Sequence, residues 1–117
     1  MCEHSATSVS CPAINQWVGG IAPLLNVTSA QTMLQCCVFA GLLQSEDRGI
    51  AKLHGGETVI GGEVFSSGRQ IAFDYIANIA KTVCADGFLQ YDVAIRRMPC
   101  SDFGGWDLFY VACYSKV

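Results

Sequence analysis

Seven cysteines in 117 residues constrain this chain more than any other feature. They are Cys2, Cys11, Cys36, Cys37, Cys84, Cys100 and Cys113. Metal binding is one use for such a set. However, no Cys-x-x-Cys occurs, and the only histidines, His4 and His54, lie far apart in sequence, so zinc-ligand spacing is missing. Disulfides in an oxidising compartment are the expectation. Cys36 and Cys37 are adjacent, with Cα atoms about 3.8 Å apart. That is shorter than the usual disulfide span, so each should seek a partner elsewhere. The economical scheme joins both to the C-terminal half through two of Cys84, Cys100 and Cys113. Each such bridge closes a long loop and contributes about 3–4 kcal/mol. Cys100 and Cys113 flank a turn asymmetrically and are not expected to pair with each other. The disulfide candidates are therefore Cys11, Cys36, Cys37, Cys84, Cys100 and Cys113. An odd count leaves one thiol free or intermolecular, and Cys2 is the candidate, with a short Cys2–Cys11 bridge as the rival.

The periodicity from Glu57 to Tyr114 predicts strand, helix, strand, turn and strand. Ser66-Ser67-Gly68 can cap a helix. Ile71, Ala72, Tyr75, Ile76, Ile79, Ala80 and Val83 then fall at helical spacing, and Asp86-Gly87 stops the run. That defines a helix over 67–84. Leu89, Tyr91, Val93 and Ile95 alternate with polar residues, as in a half-wet strand. Ser101-Asp102-Phe103-Gly104-Gly105 supplies turn residues. Trp106 to Tyr114 is apolar on nearly every position. The expectation is an α+β domain whose antiparallel sheet carries a C-terminal hairpin, 89–98/106–114, packed by the helix.

Before this region the chain is less regular. Residues 1–10 are small and polar and are expected to be flexible, with order starting near Cys11. Ser10-Cys11-Pro12 can begin a short helix with Ile14, Trp17, Val18 and Ile21 on one face, limited by Gly19-Gly20 and Pro23, and Trp17 reads as a core or lid residue. Ser29 to Leu43 also reads as helix, although Cys36 to Ala40 would equally make a buried strand. Gln44 to Gly56 is polar and reads as a surface loop suited to recognition. Residues 1–117 form a single domain, with no internal repeat.

The hydrophobic fraction is 51% against 15% charged. A well-filled core accounts for that, and surplus apolar surface together with an odd thiol points to a homodimer. No apolar run is long enough to span a membrane as a helix. A net charge of −3 without a basic face argues against nucleic acid. Arg96-Arg97 reads as a solvated strand end. Asn26-Val27-Thr28 is an N-glycosylation sequon, which makes Asn26 the modification candidate. No apolar signal core follows Met1, so the chain reads as a mature form.

Catalytic sets are weak. Ser67, His54 and Asp74 supply triad residue types, but no Gly-x-Ser-x-Gly surrounds a serine. A cluster of His54, Asp47 and a serine is the other hydrolase arrangement to look for. Asp102 and Asp107 flank a turn, and turn formation accounts for them better than a glycosidase pair does. The glycines at 55, 56, 61 and 62 match no nucleotide-binding pattern. Phe103, Trp106, Phe109, Tyr110 and Tyr114 read as core, with a sugar- or partner-binding face as the alternative. No catalytic, cofactor or metal residues are assigned.

Size, the cysteines at 11, 36, 37, 84, 100 and 113, the sequon and the helix-then-hairpin ending resemble fungal small secreted cysteine-rich proteins, an effector and elicitor class. Ser66 to Cys113 is loosely similar to its KP4-type and Ecp2-type members. The resemblance implies a secreted, extracellular and non-enzymatic protein, with no cofactor, that binds a host protein or cell-surface component. The alternative is a small secreted hydrolase or a glycan-binding or glycan-processing protein.

Overall fold

The computed structural model describes residues 1–22, 32–54, 57–58 and 62–100. Six strands run through them: β1 (Gln16–Ile21), β2 (Leu34–Val38), β3 (Glu46–His54), β4 (Gly62–Ser66), β5 (Arg69–Val83) and β6 (Leu89–Pro99). A 3-10 turn, Ala40–Gln44, links β2 to β3. β1 and β2 form an antiparallel pair. The other four make an antiparallel sheet in the order β3-β6-β5-β4.

The expected α+β class is thus corrected to all-β, and the helix over 67–84 is the 15-residue strand β5. Seven of its residues (Ile71, Phe73, Tyr75, Ile76, Ile79, Thr82 and Val83) are β-branched or aromatic and suit a pleated surface. A bulge explains the misleading spacing. Ile76 pairs with Ile95 and Asn78 with Ala94, so one extra residue sits between them on β5. The slip moves the apolar phase by one position and turns a period of two into an imitation of i, i+3, i+4. Both faces are also covered, which adds apolar residues off the expected alternation. Ser67 and Gly68 are the two positive-φ residues of a tight hairpin turn, at φ 54° and 75°, rather than a helix cap.

Other expectations shift in the same direction. The short helix near Trp17 is β1, and the 29–43 helix is replaced by β2 and the 3-10 turn. The 44–56 loop is largely β3, an edge strand of the described sheet. The strand expected at 89–98 is β6, but its described partners are β3 and β5. The second arm, 106–114, lies outside the described residues.

Two apolar clusters sit on opposite sides of the sheet. Cys11, Leu34, Cys36, Ile79 and Val93 form one, with Val18, Ile76, Tyr91, Ile95, Ala51 and Leu53 around it. The register row Ala51–Val93–Ile79 crosses three strands beneath this cluster. Leu42, Tyr75, Ala77 and Met98 form the other, with Trp17, Phe39, Phe73 and Ala94. Successive residues of β1 therefore serve different clusters, as strand alternation requires.

The N-terminal ten residues are held along β2. Glu3 N–H donates to Cys36 O, and Ser8 and Leu34 exchange two backbone bonds. The Glu3 carboxylate also accepts from Cys36 N–H at 2.9 Å and from the Ser8 hydroxyl at 2.8 Å. These bonds hold that carboxyl below the usual Glu range. Asn78, next to the bulge, accepts from Cys11 N–H at 2.9 Å and donates to the Ser10 hydroxyl at 2.8 Å, tying this strap to β5.

Candidate interaction surface

The disulfides are placed differently from the expected scheme. Cys2 bonds Cys37 and Cys11 bonds Cys36. The adjacent pair therefore reaches back to the N-terminal strap instead of forward to the C-terminal half. The reason is the β2 backbone: neighbouring residues of a strand point to opposite faces, so each needs its own partner along the strap. Cys2, expected to be the leftover thiol, is bridged, and Cys84, expected in a bridge, carries the free thiol among the described residues. Cys100 is disulfide-bonded. Cys113 and Asn26 lie outside the described residues, as do Asp102, Asp107 and the aromatics from Phe103 to Tyr114.

No hydrolase arrangement comes together from the residues suggested for one. Asp74 shares a register row with Arg97 and Glu46, whereas His54 stands eight residues farther along β3. At about 3.3 Å per residue that is roughly 26 Å. Ser67 lies beyond Asp74 in the opposite direction, at the β4–β5 turn. Asp47 and His54 are seven residues apart on one strand, or about 23 Å.

Asp74 is instead held by Arg97, with bonds of 2.7 and 3.1 Å to its two oxygens. This fork raises the arginine's pKa. Arg96 donates to the Ser45 hydroxyl and carbonyl, both at 2.9 Å, and Tyr75 donates to the same hydroxyl. Arg96-Arg97, expected as a solvated strand end, is a pair of clamps on opposite faces of β6.

The surface best suited to a partner is the tip where β5 turns into β6, beside the end of β3. Val83 pairs with Leu89, and the chain reverses through residues 84–88. Asp86-Gly87 is the turn signal here, not a helix stop. Gly87 has φ 85°, and Asp86 Oδ1 accepts from Phe88 N–H at 3.0 Å. Cys84 N–H donates to Phe88 O at 2.8 Å, and Gly87 N–H to Cys84 O at 2.9 Å.

These bonds fix the loop and leave Phe88 70% exposed. A cleft of about 580 Å³ beside it is lined by His54, Asp86, Gly87, Phe88 and Leu89. Glu57 braces the far wall: its Oε1 accepts from His54 N–H at 2.6 Å and lies 3.1 Å from Nδ1. Both contacts hold the Glu57 carboxyl below the usual range. Sequence reasoning passed over Phe88. Its signal was an aromatic placed directly after Asp-Gly, where a hairpin tip has no core to fill.

Comparison with known proteins settles the family. Residues 1–101 match the sequence model of the Warthog N-terminal signalling domain. The chain belongs to that family. It is 43% identical to Warthog protein 4 of Caenorhabditis elegans over 102 residues, covering 86% of this chain and 18% of that protein. Identity to Warthog protein 8 of the same animal is 46% over 101 residues, covering 86% and 18%. For Warthog protein 1 of that animal it is 38% over 99 residues, covering 85% and 20%. The chain thus spans about a fifth of the length of these relatives. No solved structure matches it significantly.

Membership in the Warthog family overturns the fungal effector resemblance. That likeness rested on cysteine density and a helix-then-hairpin ending. The helix is a strand, and cysteine density marks a redox compartment more than a lineage. No helix among the described residues is long and apolar enough to cross a membrane.

Proposed function

We propose that this domain is a secreted, non-enzymatic signalling module that acts by presenting the β5–β6 tip to a protein on a cell surface. The single observation that carries the choice of surface is Phe88. A hydrogen-bonded hairpin holds it out at 70% exposure beside a cleft, where an aromatic adds little to a core and much to binding. Secretion is supported by the signalling role that the family description names, which requires reaching another cell, and by cysteines locked in disulfides, which persist in oxidising compartments.

The test is binding of the labelled domain to intact C. elegans cells. Saturable binding is expected, lost in Phe88→Glu and kept in Phe65→Glu, which alters an exposed aromatic at the other end of the sheet. Equal loss in both variants, or retention in both, removes the tip from the reading. A second copy of the chain is the competing occupant. A dimer mass by light scattering that reverts to monomer in Phe88→Glu would assign the tip to self-association.

A further inference from the structure

We propose that the β5–β6 tip receives a cationic protein segment, in which an apolar side chain is flanked by arginine or lysine. The inference rests on the tip being the contact surface and adds the chemistry of what fills it.

The apolar half of the site is Phe88 with Val83, which is 50% exposed, and Leu89 on the cleft wall. The charged half is the rim. Asp86 uses Oδ1 on Phe88 N–H, and Glu57 uses Oε1 on His54. Each of these bonds uses one oxygen of its carboxylate, and His54 Nδ1 lies against the same Glu57 oxygen. The row His54–Gln90–Thr82 and everything described beyond it contain two carboxylates and no lysine or arginine. Among the described residues of these strands the next cations inward are Lys52, in register with Asp92, and Lys81, one position from Thr82 and in register with Tyr91.

An exposed aromatic face beside two exposed carboxylates suits a guanidinium or ammonium group, through cation–π and charge-assisted contacts together. The same rim repels phosphate, which sets anionic lipid surfaces and nucleic acid aside. An apolar partner lacking cations would leave both carboxylates facing it without compensation.

The test is an amide-resonance titration of the ¹⁵N-labelled chain with three short synthetic peptides. Each carries a Leu-Phe core, flanked by arginines, serines or glutamates. The arginine peptide is expected to shift the amides of His54, Gly87, Phe88 and Leu89. It should bind about tenfold tighter than the glutamate peptide, with the gap closing as salt rises to about 0.5 M. Glu57→Gln with Asp86→Asn keeps both hydrogen-bond acceptors and removes both charges. That pair should weaken the arginine peptide about fivefold and leave the serine peptide unchanged.

Equal shifts from the serine and arginine peptides would overturn the cationic partner, while Phe88-dependent cell binding would preserve the tip as the contact surface. A tip silent to all three peptides overturns the proposal in the same way. Loss of Phe88 dependence on cells removes both readings.

Discussion

Gly19→Ala should break the covalent tie between the N-terminal strap and β2. Gly19 falls at the irregularity where β1 slips register against β2, between Val18 and Gly20. A Cβ built there would overlap Cys37 Sγ and lie 3.6 Å from Cys2 Sγ. Real Cβ atoms do not approach sulfur so closely, so the sulfur must move by about an ångström, and overpacking of this kind costs about 1–3 kcal/mol. Cys37 is fully buried and bonded, and cannot yield easily.

If the bridge is lost instead, loop entropy sets the scale. A ring with a separation of 35 residues contributes about 3.8 kcal/mol. The Cys11–Cys36 bridge has a separation of 25 and lies inside it, so the new ring shrinks by that much to about ten residues. The contribution then falls to about 2.7 kcal/mol. Either route lowers the melting temperature by roughly 10 °C for a chain of this size. Thermal unfolding with thiol counting reads the effect, two additional free thiols marking the lost bridge. In a Cys2→Ser, Cys37→Ala background the obstructing sulfurs are gone, and Gly19→Ala should cost well under 1 kcal/mol. An equal cost in both backgrounds would refute the steric account, as would an unchanged melting temperature in the wild-type background.

Other changes separate stability from recognition. Met98→Ala empties a fully buried position in the Tyr75 cluster and should cost about 2–5 kcal/mol in denaturant unfolding. Asp74→Asn breaks the fork to Arg97, whose partners are only partly exposed, and should cost about 1 kcal/mol by the same measurement. Cys84→Ser should leave stability within about 0.5 kcal/mol and lower the chain's thiol count by one. Glu3 has a depressed carboxyl pKa in the folded chain. Its contribution is complete above the ordinary value near 4.3 and is lost as pH falls through the folded value. The Cys36 amide resonance should therefore titrate below pH ~4.3 and stay flat in Glu3→Gln.

Turns and redox chemistry could be read from these residues, and layer order could not. Asp86-Gly87 and Ser66-Ser67-Gly68 both read as chain punctuation, and both are hairpin turns. They look like helix ends because the run between them imitates a helix. One bulged residue near Ala77 suffices for that, since local periodicity carries no record of pairing. The alternation of Leu89 to Ile95 survived because β6 has no such slip within it. The adjacency of Cys36 and Cys37 indicated separate partners, but not which ones. Choosing Cys2 and Cys11 required knowing that the strap lies along β2, a long-range fact with no local signature. Phe88 was missed for a related reason: exposure is a property of the finished surface.

The two bridges have a consequence for how damage to this domain would be seen. A protease cut anywhere in residues 12–35 leaves both fragments joined through Cys11–Cys36 and Cys2–Cys37. A nicked molecule would keep its size on a non-reducing gel and separate only after a dithiol is added. Intactness of this domain is therefore to be judged on reduced samples.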